Sequence, residues 1–205
     1  TNDGGAGAAS ALGAVFTRAD GEAFIPVGGT LGEIAAVNCS PVKKALEGLE
    51  LTIMCDIDNP LFGETGAAYV FAPQKGADAS MVERLDSGLR HLAKVTAQCL
   101  GRDFSQLPGA GAAGGLGFGM AAYCGGKLRM GIDVVLDTAG FDGLLQTADL
   151  VFTGEGKIDS QSIRGIACRN GSRPLSSFLF DRNCRHSGSA GRLFRGFLRR
   201  LCRFF

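Results

Sequence analysis

Alternating helix and strand signals place this chain in the α/β class. Three segments carry that reading. Residues 50–56, Glu-Leu-Thr-Ile-Met-Cys-Asp, have the apolar and β-branched content of a short strand and stop at an acidic, proline-punctuated loop, Asp56-Ile-Asp58-Asn59-Pro60. Val82, Leu85, Leu89, Leu92 and Cys99 recur at helical spacing behind the capping-box pattern Ser80-Met-Val-Glu83 and predict a helix over 81–99. Asp149-Leu-Val-Phe-Thr153 reads as a buried strand and opens into Gly154-Glu155-Gly156-Lys157-Ile158-Asp159.

The other elements follow from local chemistry. Thr30-Leu-Gly-Glu33 is a second capping-box pattern, and Ser40-Pro41 sets an N-cap before a proline at the first helical position, so a short helix pair is predicted over about 31–48. His91 lies off the apolar stripe of the 81–99 helix and is expected to be a solvated surface residue. Residues 109–126 begin as a glycine loop and are expected to run into a glycine-rich helix packed very close to a neighbour. A further helix is expected near 141–147. In open α/β sheets ligands bind beyond the carboxyl ends of strands, and two of the predicted strands end there in carboxylate-rich loops.

With 205 residues, 45% hydrophobic and 20% charged, the chain can form one large domain or two small ones with a real core. Its 32 glycines are about twice the usual ~7%, which points to many close backbone approaches. The formal charge of +1 joins two unlike parts: residues 1–160 carry −8, whereas residues 161–205 carry ten arginines, no lysine and one aspartate. The seven cysteines are odd in number and contain no CxxC pair, which argues against a zinc site or a secreted disulfide framework and for reduced cytosolic thiols. Two histidines leave almost nothing for histidine-rich metal sites or His-based triads. No basic-apolar signal peptide opens the sequence, although it starts at Thr1 and its native N-terminus stays open. Residues 104–126 are uncharged, but eight glycines and Pro108 exclude a membrane span.

Three motifs carry candidate chemistry. Asp56 and Asp58 alternate across one apolar residue, a spacing that can point both carboxylates into one cleft, to hold Mg²⁺ or to serve as a general base; the alternative is a solvated turn before Pro60. Gly109-Ala-Gly111-Ala-Ala-Gly114 satisfies GxGxxG, with Asp133 19 residues beyond, but residues 103–108 are not the strand a dinucleotide fingerprint requires. What remains is a glycine loop entering a helix, either offering backbone N–H groups to an anion or serving tight helix packing. No segment fits the P-loop, because Gly156-Lys157 is followed by Ile158 and Gly126-Lys127 by Leu128. The run from Gly154 to Asp159 collects a base, two acids and two glycines after a strand, which suits a phosphate or metal site.

Taken together, the blocks resemble the bacterial glycerate kinase family. Thr1-Asn-Asp-Gly-Gly-Ala-Gly7 is similar to the end of its Gly-Gly-Ser-Ala-Thr-Asn-Asp-Gly-Gly block. Asp56-Ile-Asp-Asn-Pro-Leu61 and Phe71-Ala-Pro-Gln-Lys-Gly-Ala77 resemble its Asp-x-x-Asn-Pro-Leu and Pro-Gln-Lys-Gly-Ala signatures. Leu107-Pro-Gly-Ala-Gly-Ala-Ala-Gly-Gly-Leu-Gly117 and Thr153-Gly-Glu-Gly-Lys-Ile-Asp159 complete the set in family order. The resemblance covers residues 1–165, as an interior portion of a chain nearly twice as long. It implies two α/β domains, one Rossmann-like and one flavodoxin-like, with the active site in a cleft. It also implies ATP-dependent phosphorylation of D-glycerate, giving 2-phosphoglycerate or 3-phosphoglycerate, by a cytoplasmic enzyme with no nucleic-acid or membrane partner.

On that resemblance Asp56 or Asp58 would orient or deprotonate the glycerate hydroxyl and help hold Mg²⁺. Amides around Gly109, Gly111 and Gly114 would cradle phosphate or the substrate carboxylate, and Lys157 would offset charge on the transferred group. Glu155 and Asp159 would be metal or substrate ligands, and Asp3 and Asn59 further binding candidates. After Gly165 the family continues with Lys-Ala-Pro and an alanine-rich helix, whereas this chain reads Ile166-Ala-Cys-Arg-Asn170. Residues 166–205 are therefore expected to be an out-of-frame or disordered arginine-rich tail, and the chain inactive by itself. The alternatives are a non-catalytic module binding small anions and, for the tail, a nucleic-acid arm.

Overall fold

Phe16, Phe118 and Tyr123 meet at the centre of the core in two edge-to-face contacts, with Tyr123 5.5 Å from Phe16 and 5.9 Å from Phe118 between ring centroids. The computed structural model describes residues 2–145 and the backbone of segments 151–153, 157–158, 178–180 and 185–186. Its chain contacts divide into two units, Thr1–Val134 and Val135–Phe205. The expected boundary after residue 165 lies outside the described residues.

The first unit opens with α1 (Ala6–Ala11), whose start is closed by Asp3: its carboxylate accepts the N–H groups of Gly5 and Gly7, each at 3.1 Å. Strands β1 (Val15–Thr17), β2 (Ala23–Phe24) and β3 (Ala36–Asn38) form an antiparallel sheet in the order β2-β1-β3, with buried Phe16 opposite both Phe24 and Val37. Then come α2 (Ser40–Ala45), β4 (Thr52–Met54), α3 (Ala67–Phe71), α4 (Ala79–Leu100), α5 (Ala112–Cys124) and β5 (Lys127–Arg129). β5 pairs in parallel with β4, Ile53 opposite Leu128. The α/β class therefore holds, with an antiparallel sheet beside the parallel pair.

Thr96 and Tyr123 satisfy one another inside the core, hydroxyl to hydroxyl at 3.0 Å. Burial pushes the Tyr123 phenol well above its ordinary pKa, so the ring stays neutral.

Three local expectations need correction. The helix pair over 31–48 is one 3₁₀ turn, Leu31–Glu33, followed by β3 and then α2. Thr30 does not cap a helix, because its hydroxyl turns back to Val27, accepting the N–H at 3.0 Å and donating to the carbonyl at 3.2 Å. The long helix is capped by Asp78 rather than Ser80, with Asp78 accepting the Met81 N–H and the Ser80 hydroxyl at 2.8 Å each. His91 is half-buried, and its Nε2 donates to the Ile34 carbonyl at 2.7 Å, tying α4 to the segment that enters β3.

The Met81 amide, and after it the Ser80 hydroxyl, hold the Asp78 carboxyl below the usual carboxylate range. The charged cap is therefore fully present above the ordinary value of about 3.9 and is lost as pH falls through the lowered folded-state value. Asp78→Asn keeps an acceptor oxygen but cannot titrate, so it is expected to flatten part of the acid limb of stability below about pH 4. Thermal melts of both proteins from pH 7 downward check this; parallel acid limbs would show that Asp78 does not contribute.

In the second unit, α6 (Gly131–Thr138), which begins in the first unit, is followed by α7 (Phe141–Leu145) near the expected helix. β6 (Val151–Thr153) falls within the expected strand and pairs in parallel with β8 (Phe178–Phe180), as β7 (Lys157–Ile158) does with β9 (Arg185–His186). β8 and β9 are the described residues of the arginine-rich segment 166–205, and the rest of it lies outside the described residues. Among the described residues no helix is long and apolar enough to cross a membrane.

Candidate functional site

Because β4 and β5 are parallel, their carboxyl ends share one edge, and the acidic loop leaves from it. Cys55 prolongs the pairing by one step, its N–H donating to the Arg129 carbonyl at 2.9 Å. Asp56 follows, and its Oδ1 accepts the N–H of Gly131 at 3.0 Å, at the first residue of α6. A side chain at Gly131 would put its Cβ 2.7 Å from that oxygen, so the residue must be small for the carboxylate to reach the helix end. Asp56 and Asp58 are both exposed beyond the strand end.

Asn59 uses both its side chain and its backbone. Its Nδ2 donates to the Thr65 carbonyl at 2.8 Å, closing the loop on itself, and its own carbonyl accepts the Gly111 N–H at 2.9 Å. Further along, the Leu61 N–H donates to Ser105 and the Gly63 N–H to the buried carboxylate of Asp86.

The glycine loop is where the two open readings separate. A Cβ on Gly111 would lie 2.3 Å from the Pro60 carbonyl oxygen, one on Gly117 2.2 Å from that of Gly109, and one on Gly109 2.8 Å from Cys55 Sγ. Gly115 and Gly119 come equally close to the backbone of Gly4, whose N–H donates to Gly114 at 3.1 Å. Residues 2–7, 55–63 and 109–119 are thereby clasped backbone to backbone, which is the tight-packing reading. The Gly111 N–H donates to the Asn59 carbonyl, and the Asp3 carboxylate accepts the Gly5 and Gly7 N–H groups at the start of α1.

Ala113, Gly114 and Gly115 all have left-handed backbone, Ala113 with φ 51° and ψ 42°, so regular helix begins only after them. A non-glycine residue held there costs on the order of 1–2 kcal/mol, strain that the surrounding clasp sustains. Gly117→Ala is expected to destabilise the first unit by about 3 kcal/mol or more, because its contact is with backbone and cannot be relieved by a rotamer change. Denaturant melts followed by circular dichroism check this; a change below about 0.5 kcal/mol, the surface-substitution scale, would refute the clasp.

Thiol chemistry is disfavoured at Cys39, where burial pushes the pKa up to about 11, and burial raises Cys124 as well. The four described cysteines are free. Among the described residues no group of three or more His, Cys, Asp or Glu side chains is arranged to hold a metal ion. The backbone of Lys157 lies in β7, whereas Glu155 and Asp159 lie outside the described residues.

Three parts of the site escaped the sequence reading. Gly131 opens a helix with Asp133 in its first turn, an N-terminal signal that was legible, whereas β5, Lys-Leu-Arg, has a single apolar residue and is specified by its pairing with β4. The inward carboxylate of Asp86 had no signal, since aspartate on an amphipathic helix normally faces water.

The sequence profile described as the glycerate kinase family matches residues 1–170. The chain belongs to the glycerate kinase family. It is 48% identical over 167 residues to a glycerate kinase of Bacillus cereus, covering 82% of this chain and 44% of that protein. It is 42% identical over 165 residues to the glycerate 2-kinase of Escherichia coli K12, covering 80% and 43%. A crystal structure from Salmonella typhimurium LT2, provisionally designated glycerate kinase 2, superposes with a TM-score of 0.70 at 46% identity, covering 78% of this chain and 43% of that one. This glycerate kinase family chain therefore spans under half the length of these relatives.

Proposed function

We propose that residues 1–165 are part of an ATP-dependent glycerate kinase that phosphorylates D-glycerate, with 2-phosphoglycerate as the product. The observation that carries this is the placement of Asp56, Asp58 and Asn59 at the shared carboxyl edge of β4 and β5, held there by the Gly111–Asn59 hydrogen bond within the family's own blocks. The E. coli relative's designation as a 2-kinase favours the 2-phospho product. We propose for the longer protein the two-domain architecture, Rossmann-like plus flavodoxin-like.

In the proposed reaction a glycerate hydroxyl oxygen attacks the γ-phosphorus of ATP in line. The new O–P bond forms as the bond to the β-phosphate bridging oxygen breaks, ADP leaves, and the hydroxyl proton passes to a carboxylate. Asp56 or Asp58 is the base, and Asp56 has one oxygen on Gly131. Asp56 also fixes the loop against α6 through its hydrogen bond from Gly131. Lys157 is assigned to the charge on the transferred group from its place in the Thr153–Asp159 block, and Glu155 and Asp159 of the same block are assigned as metal or substrate ligands. Gly109, Gly114 and their neighbours shape the loop that bounds the substrate.

Mg²⁺ fits the donor set, since it is held by one or two carboxylates plus phosphate oxygens and keeps several waters, and two exposed carboxylates are what this edge offers. Asp56 and Asp58 would hold it, and when bound it neutralises charge on the β- and γ-phosphates. The test is ³¹P NMR of ATP and D-glycerate incubated with a full-length relative in which residues 1–165 of this chain replace the matching segment. Appearance of 2-phosphoglycerate supports the proposal. Saturable anion binding without any phosphorylated product would make this a binding module instead.

A further inference from the structure

We infer that Asp86 and Arg90 are positioning residues for the carboxylate loop, acting on it from α4 through Gly63 and Phe62. Asp86 is 4% exposed, and its two oxygens are divided between two tasks. Oδ1 accepts the backbone N–H of Gly63 at 2.7 Å, and Oδ2 accepts the Arg90 Nε–H at 2.7 Å. The Arg90 guanidinium in turn lies over the Phe62 ring, 4.6 Å from its centroid. One helix thus grips two consecutive loop residues, one by a charged hydrogen bond and the other by a cation–π contact.

Placing a carboxylate inside a core is costly unless its hydrogen bonds are met, and an i,i+4 pair with arginine needs no burial to form. What the burial achieves here is reach to the Gly63 amide. The loop is otherwise held at Asn59 by Gly111, at Leu61 by Ser105 and across its neck by the Asn59–Thr65 bond. Asp86 supplies the charged anchor at Gly63, five residues beyond Asp58, from an element that carries none of the candidate reactive groups. Since phosphoryl transfer depends on placing donor and acceptor to a fraction of an ångström, an anchor of this kind sets how well Asp58 and Asn59 are aimed.

The kinetic part of this inference rests on the proposed phosphotransfer, so the test has two arms. In this chain, Asp86→Asn keeps an acceptor for Gly63 but loses the charge that holds Arg90, and Arg90→Lys keeps charge while losing the planar grip on Phe62. Hydrogen exchange of amides 57–66 is expected to accelerate roughly tenfold in each, with α4 and α5 amides unchanged. Arg90 is half-exposed, so its variants keep the fold even where Asp86 variants do not. In the full-length graft, the same substitutions are expected to lower kcat about tenfold or more, Arg90→Lys at unchanged Tm and retaining more than Arg90→Ala. Loop exchange identical to the parent, a rise spread over the whole first unit, or a parental kcat would each overturn the inference. Should the unsubstituted graft release no glycerate-dependent ADP, the functional proposal fails and the exchange arm alone decides the role of Asp86 and Arg90.

Discussion

Asp56→Asn and Asp58→Asn are each expected to lower kcat about 10²-fold or more in the full-length graft, the scale of losing a positioned acid–base group. The thermal midpoint should hold, because asparagine Oδ1 at position 56 still accepts the Gly131 N–H that Asp56 accepts at 3.0 Å. Asp56→Ala separates the two roles of this residue. It abolishes the carboxylate and also uncaps α6, so it should add a stability loss of about 1 kcal/mol to the kinetic one. Steady-state ADP release and melts on the same preparations check all three. Turnover near the parent in both asparagine variants would leave the loop as a solvated turn.

By itself, the 205-residue chain is expected to phosphorylate D-glycerate at least ~10²-fold more slowly than a full-length relative at equal concentration. It spans 43–44% of the relatives it matches, and in-line transfer needs donor and acceptor held together. The clasp described above holds the carboxylate loop, with residues 2–7, 55–63 and 109–119 fixing one another. The comparison is kcat/KM for D-glycerate under saturating ATP. Equal values would mean that these 205 residues hold the complete catalytic machinery.

Where the sequence was legible, an unambiguous local signal coincided with burial. The 81–99 periodicity gave α4 nearly to its ends because Val82, Leu89 and Leu92 are buried and Leu85 half-buried, although Cys99, the last residue of that stripe, is exposed. The close packing of the glycine-rich helix could be foreseen, because a helix rich in glycine has backbone rather than side chains to offer a neighbour. The failures share a cause. The antiparallel sheet is built from Val15–Thr17, Ala23–Phe24 and Ala36–Asn38, two or three residues each, too short to display alternation. Thr30 and Ser80 satisfied a capping pattern, yet Thr30 bonds backward to Val27 and Asp78 outcompetes Ser80 for the Met81 amide. The same limit applies to the site. Asp56 and Asp58 were visible as a pair, but the Gly131 amide, the Asn59 carbonyl and the Asp86 carboxylate that hold their loop come from segments distant in sequence.

The measurement that bears most directly on this account is D-glycerate-dependent ADP release by the full-length relative carrying residues 1–165 of this chain, compared with the same graft bearing Asp58→Asn. The account predicts saturable release in the first and a loss of about 10²-fold or more in the second, with both proteins folded. A folded graft that releases no ADP on addition of D-glycerate, or equal release from the two, would contradict it.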